Sequence, residues 1–367
     1  MPQVFESPAA YVQGRGVTEE IGAHVAPLGS ECLLLADEVV LDLVGERVVE
    51  SLESEGIGAS TIEFEGEASE TEINRVADVV KERNADVVIG AGGGKTLDTA
   101  KAVREATGGA MVSMPTVAST DSPTSALSVI YSEAGEFQEY WFYDQHPDLV
   151  LLDTAVVAGA PTRFFRSGIA DGLATWFEAD ATYRSDGENI VGGTSTRAGH
   201  RLAELCYETL REHALAAVDA VEREAVTASV EAVAEANTLL SGLGFESGGL
   251  AAAHSVHNGL TQLGVTHHAT HGEKVNVGTV TQLVLEGRED AFIEDYVEFS
   301  LALDLPVTLS DIGIDDPTAA RLETVAEAAC DPEETIHNEP FAVTPPMVRD
   351  ALRTADQIGR RVRERRS

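Results

Sequence analysis

The sequence predicts two halves of different class, an α/β half built on an open parallel sheet followed by an all-helical half. Three observations predict it. Short apolar runs alternate with amphipathic segments over about the first 150 residues, strand-like runs nearly vanish after Pro161, and four glycines mark one strand-to-helix turn. A chain of 367 residues also suits two domains better than one small core. The boundary is expected between residues 155 and 165, giving domains 1–160 and 161–367.

In the first half, ECLLLADEVV, ASTIEFEG, ADVVIGAGGG and AMVSMPT read as strands. Between and around them, VTEEIGAHVAPLG, LDLVGERVVESLESEG, SETEINRVADVVKERN and KTLDTAKAVREATG carry apolar residues at helical spacing and end near glycine or asparagine. Parallel strands joined in this way share one edge at their C-terminal ends, where ligands usually bind. EFQEYWFYDQHPDLVLLDT reads as a hairpin plus one last strand. In the second half the clearest helices are RFFRSGIADGLATWFEADATYR, TSTRAGHRLAELCYETLREHALAAVDAV and REAVTASVEAVAEANTLLSGLGF.

Charge is the most unusual global property. There are 62 acids against 25 bases, a net charge of -37, and only Lys81, Lys95, Lys101 and Lys274 among the bases are lysine. Such a surface repels nucleic acid and anionic membranes, whose phosphates need a basic face. High salt screens the self-repulsion of an acidic chain, so the balance points to a salt-loving host. The basic C-terminal stretch ALRTADQIGRRVRERRS is read as arginines favoured at a helix C-terminus. Cys32, Cys206 and Cys330 are isolated and read as core residues. With no run of eighteen apolar residues and neither a basic nor an apolar leader at its start, the chain is expected to be soluble and cytoplasmic.

In VVIGAGGGKTLDTAKAV the glycines sit between an apolar strand and a helix that starts near Thr96. Glycine lets the backbone approach a phosphate, and the helix start offers free amides and a positive dipole end, so the stretch reads as a pyrophosphate cradle. It is not a Walker A loop, because Ile89 stands where the first glycine belongs, and Lys95 breaks the GxGxxG spacing. Asp37 follows LLLA at the end of a neighbouring strand. Its carboxylate could accept from an adenosine ribose and repel a 2′-phosphate, or could cap the helix that follows. The hydroxyl-rich segment PTVASTDSPTSALSVIY suits a polyhydroxylated or amide-bearing ligand, but that composition is common in loops.

Five of the ten histidines, His254, His257, His267, His268 and His271, fall within residues 254–271. Imidazole suits zinc, and a catalytic zinc commonly has three protein ligands and an open position. His254 and His257 are three apart and could share a helix face, while His271 lies seventeen residues after His254; spacing leaves the choice open. Asp171, in the small apolar surroundings of GIADGLATW, is the notable carboxylate, since an acid there is costly unless paired or bound to a cation. The alternative for Asp171 is a helix cap.

Together GGGKTLDTAKAV, PTVASTDSPTSALSVIY, GIADGLATWFEA and AAAHSVHNGLT followed by HGEKVNVG, in this order over nearly the whole chain, resemble the glycerol dehydrogenases of the metal-dependent, iron-containing-type alcohol dehydrogenase superfamily. The resemblance implies a Rossmann-like N-terminal NAD-binding domain and an all-α C-terminal domain, the dehydroquinate synthase-like architecture, with metal and nicotinamide in the cleft between them. It implies a divalent metal, zinc or iron, on Asp171, His254 and His271, glycerol at Asp121, and a catalytic role for Asp121, His254 and His271. It further implies NAD contacts at Asp37, Gly93, Gly94, Lys95, Asp98, Thr116, Ser119, Ser125, Leu127 and Tyr131, and a ring-like homo-oligomer. His267 and His268 match no ligand position, and His257 is left as a relay for the hydroxyl proton, with water as its rival.

The expected reaction is reversible oxidation of glycerol at C2 to dihydroxyacetone. Glycerol-1-phosphate dehydrogenase, other polyol or 1,2-diol dehydrogenases, and the dehydroquinate-synthase-like lyases are the rivals. The phosphate-dependent ones need cationic groups that a chain with four lysines scarcely offers. Departures from the family pattern are Ser122 and Thr124 near the substrate aspartate and the acidic surface.

Overall fold

The computed structural model describes residues 1–366. Its strands are β1 (Tyr11–Gly14), β2 (Glu31–Ala36), β3 (Gly58–Glu63), β4 (Val87–Gly92), β5 (Ala110–Pro115), β6 (Leu127–Tyr131), β7 (Phe137–Phe142) and β8 (Leu149–Asp153). Six of them form one sheet in the order β1-β8-β5-β4-β2-β3, every neighbouring pair parallel. β6 and β7 form a separate antiparallel hairpin.

The apolar runs are continuous because both faces of the sheet are covered. Cys32, Leu34 and Ala36 of β2 face one core with Ile89, Val112 and Met114. Leu33 and Leu35 face the other with Val76, Val80, Val103 and Met111. β2, β4 and β5 lie within the runs read from the sequence, β3 begins one residue before its run, and β7 and β8 lie within EFQEYWFYDQHPDLVLLDT. β1 and β6 were not anticipated as strands.

The chain divides into two compact units, one of residues 7–162 and 220–242, the other of 1–6, 163–219 and 243–367. This differs from a single cut at 160. Hydrogen bonds give the reason for the exchange: Gln13 donates to the Glu231 carbonyl and carboxylate, Thr154 donates to Glu231, and Asn237 donates to the Ala118 carbonyl. Helical periodicity in 223–245 carries no sign of which core it serves.

The second unit is helical, with no strand past β8 among the described residues apart from isolated bridges at Thr194. Its helices include Thr162–Ser185, Arg197–Val221, Ala252–Thr261, His271–Leu285 and Pro345–Arg366. One core joins Val256 and Leu260, Val277, Leu322 and Val325, and Val348 and Leu352. The basic C-terminal stretch is the end of the last helix. Arg363 pairs with Asp311 at 2.6 Å, and Arg361 and Arg365 pair with Glu294, each at 2.7 Å. Among the described residues no helix is long and apolar enough to cross a membrane.

Candidate metal centre and nucleotide loop

Three helices of the second unit bring Asp171, His254 and His271 together. One ligand atom from each lies within 4.8 Å of the others. Asp171 Oδ1 is 3.1 Å from His271 Nε2 and 3.4 Å from His254 Nε2. Asp171 is 1% exposed, and its Oδ2 has no hydrogen-bond partner. An unpaired buried carboxylate oxygen is costly, and two imidazoles with one carboxylate are a donor set that a borderline divalent cation accepts, so the residues fit such an ion.

Local sequence explains the convergence. His271 is the first residue of its helix, whose start is fixed by a capping box between Thr270 and Glu273, and Glu273 is held by Arg163. Gly272 follows, and its N–H donates to Ser167 Oγ at 3.1 Å. A Cβ at Gly272 would lie 1.9 Å from the Ser167 carbonyl oxygen, so only glycine permits this approach of the His271 helix to the Asp171 helix.

Charge follows geometry. Burial favours the neutral acid at Asp171, but His271 and His254 outweigh it and hold the pKa well below the ordinary carboxylate range. At His254 burial opposes the charged ring, yet Glu178 and Asp171 raise its pKa well above the ordinary value. His257 is driven the other way by burial and by His271 and Lys274, and so is neutral. Its Nδ1 faces Asn258 Oδ1 at 3.0 Å and its ring lies 4.3 Å from that of His271. His267 and His268 are exposed, each with a ring nitrogen against a backbone carbonyl, that of Thr261 and that of Val265. Neither joins the metal cluster.

In the first unit β3 lies on one side of β2 and β4 on the other, so the chain reverses its direction of winding between β2 and β4. Such a switch point opens a crevice at the strand C-termini. β4 ends at Gly92, and the Gly94–Thr107 helix begins with no side-chain cap on its amides, leaving them for a phosphate. Gly92 has φ 154°, and a Cβ there would lie 2.8 Å from Thr96 Oγ1. Asp37 stands at the end of β2, beside β4. Its Oδ1 accepts the Val40 N–H at 2.9 Å, so the capping role is realised.

The other expected NAD contacts separate into two groups. Lys95 Nζ pairs with Glu67 at 2.7 Å and lies 5.0 Å from the Tyr131 ring centroid, Thr116 donates its N–H to the Gly92 carbonyl, and Ser119 is partly exposed just beyond β5. Asp98 and Ser125 instead face inward, to fully buried Lys101. Lys101 Nζ is 3.0 Å from Asp98 Oδ1 and donates to Ser125 Oγ, the Ser122 carbonyl and the Leu127 carbonyl. Asp98 Oδ2 accepts the Val129 N–H. A buried ammonium needs an anion and acceptors, so Asp98 and Ser125 anchor segment 122–129 through Lys101. Asp121, at the start of that segment, is buried, and its Oδ2 accepts from Ser241 Oγ at 3.1 Å.

Sequence reading passed over Glu178. It sits seven residues after Asp171 on the same helix, two turns on and on the same face, which is the signal that could have found it.

The iron-containing alcohol dehydrogenase family model matches residues 8–154. Over its full length the chain is 69% identical to a glycolaldehyde reductase of Halobacterium salinarum, covering all of both chains. It is 46% identical to a glycerol dehydrogenase of Citrobacter freundii over 98% of each. The structure of glycerol dehydrogenase from Schizosaccharomyces pombe matches with TM-score 0.96 and 39% identity, covering 99% of this chain and 93% of that one. With its parallel sheet, its helical unit and relatives of this identity along their whole length, the chain belongs to the iron-containing alcohol dehydrogenase family.

Proposed function

We propose that the protein is an NAD-dependent and metal-dependent dehydrogenase that interconverts glycerol and dihydroxyacetone at C2. The convergence of Asp171, His254 and His271 around the unpartnered Asp171 Oδ2 carries this reading. A divalent cation held there lowers the pKa of an alcohol hydroxyl, and NAD supplies the hydride acceptor. Zinc suits the donor set best, and iron is also accepted by it.

The chain's own residues do the rest. Asp171 stays ionised at any working pH, because its histidine neighbours depress its pKa. Asp121, with one oxygen fixed by Ser241, takes a second substrate hydroxyl and so orients the C–H, which is positioning and not proton transfer. The uncapped helix start after Gly93 takes the pyrophosphate. Asp37 accepts the ribose hydroxyl and repels a 2′-phosphate. The hydroxyl proton leaves through water or through neutral His257.

A second reading, reduction of glycolaldehyde by the same chemistry run in the other direction, is favoured by the 69% identity with the Halobacterium salinarum enzyme. Steady-state rates in high salt, with and without chelator, separate the readings. Glycerol, 1,2-propanediol and glycerol 1-phosphate are offered with NAD, and glycolaldehyde and dihydroxyacetone with NADH. The highest kcat/KM among the first set is expected for glycerol; glycolaldehyde far ahead of dihydroxyacetone would favour the second reading, and glycerol 1-phosphate ahead of glycerol would contradict both.

A further inference from the structure

The Ala252–Thr261 helix, which carries His254, begins without a cap of its own. Its N-cap residue is Ala251, whose side chain cannot accept a hydrogen bond. Buried side chains from two other helices do that work. Glu178 Oε1 accepts the backbone N–H of Ala251 at 3.0 Å and of His254 at 2.9 Å, and Gln282 Oε1 accepts that of Ala253 at 2.9 Å. The second Glu178 oxygen, Oε2, lies 2.5 Å from His254 Nδ1.

Glu178 is fully buried, and His254 is nearly so. The ring is therefore held on both edges by one helix, with Asp171 at Nε2 and Glu178 at Nδ1. A carboxylate can only accept, so it requires a proton on Nδ1, and the neutral ring that keeps that proton when a cation displaces the other offers its lone pair from Nε2. That is the nitrogen which faces Asp171 and the metal position. A histidine ligand whose other nitrogen donates to a carboxylate is fixed in tautomer and orientation and is a stronger donor.

We propose that Glu178 is a positioning residue of the metal centre, which fixes the Nδ1–H tautomer and the ring orientation of His254 while its other oxygen anchors the backbone that carries this ligand. The inference rests on the metal-centre reading above. Gln282 and Glu178 share the capping work, whereas the contact with Nδ1 comes from Glu178.

Glu178→Gln tests it. The amide oxygen keeps both backbone bonds, but its NH2 then meets Nδ1, so His254 must turn a lone pair inward and carry its hydrogen on Nε2, where the cation binds. Zinc affinity of the metal-depleted full chain, measured by competition with a chromophoric chelator, is expected to fall about 10- to 100-fold, with the helical circular dichroism of the wild type retained. An affinity within about twofold of wild type overturns the proposal. So does a variant that loses helical signal yet binds zinc as the wild type does, which would leave only capping. If the variant does not fold, 15N-histidine spectra of the zinc-loaded wild type decide, with the His254 resonance assigned by its loss in His254→Ala. A protonated Nδ1 supports the proposal and a bare Nδ1 overturns it. Wild type that takes up no zinc or iron defeats the metal reading itself, an outcome distinct from a wild type that binds and a Glu178→Gln variant that binds equally.

Discussion

Asp171 Oδ1 and His271 Nε2 stand 3.1 Å apart although 100 residues separate them in the chain. Nothing in the local sequence of either forces that contact. It exists because the His271 helix is started at one residue by a capping box and can lie against the Asp171 helix at Gly272.

Gly272→Ala therefore acts on the metal centre from outside it. The new methyl would meet the Ser167 carbonyl, and the helices must part by more than a few tenths of an ångström. Overpacking of this kind costs about 1–3 kcal/mol. Thermal unfolding should show that loss, and chelator competition should show zinc bound at least tenfold more weakly. An unchanged zinc affinity would mean that this close approach does not set the ligand geometry.

Lys101→Met should be far more damaging than a surface lysine change. It leaves the buried Asp98 carboxylate without its cation, and breaking one side of a buried pair costs about 3–5 kcal/mol. Burial already raises the Asp98 pKa, with Lys101 opposing, so removing the lysine raises it further. Urea unfolding should recover much of the loss in the Lys101→Met, Asp98→Asn double variant. Equal losses in the single and the double variant would contradict the pairing.

Glu339 predicts an alkaline weakness. It is buried, and burial, then Glu286 and Glu178, push its pKa from 4.5 up to about 9 against a smaller opposing effect of the Ala252 backbone. Between those values the folded chain keeps a proton that the unfolded chain has released. Stability therefore falls as pH rises from 4.5 toward 9, by at most about 1.4 kcal/mol per pH unit from this group. Glu339→Gln should be more stable than wild type at pH 8, with the gain disappearing near pH 4.5. A constant difference across that range would remove Glu339 as the cause.

Asp37→Asn separates its two roles. Asparagine still caps the helix through its side-chain oxygen, so thermal stability should stay within about 0.5 kcal/mol. It no longer repels a 2′-phosphate, so the preference for NAD over NADP, read as a ratio of kcat/KM, should drop about tenfold or more, each factor of ten being about 1.4 kcal/mol. A retained preference would place the discrimination elsewhere.

The glycine turn and the long apolar strands were legible because their physical signals are local. β1 was not, because Tyr11–Gly14 is four residues at the sheet edge with no alternation to reveal it. The placing of residues 220–242 was hidden because a helix stripe shows that a face is buried but not against what. At the site, spacing left His257 and His271 open as partners of His254, whereas the structure turns His257 Nδ1 to Asn258 and sets His271 with His254 on Asp171. His271 came from resemblance to a family and not from spacing. Glu178 and Lys101 were missed for one reason: a charged residue on a helix reads as a solvent face unless its buried partner is known, and both partners come from elsewhere in the fold.

The central claim is that a cation on Asp171, His254 and His271 makes the alcohol reactive. NADH formation from glycerol by metal-depleted chain, by the same chain restored with zinc or iron, and by His271→Ala and His267→Ala treated alike tests it most directly. The account predicts that activity is lost on depletion, returns on restoration in the wild type and His267→Ala, and does not return in His271→Ala, which also fails to retain metal. Equal rates with and without metal, or loss in His267→Ala with retention in His271→Ala, would contradict it.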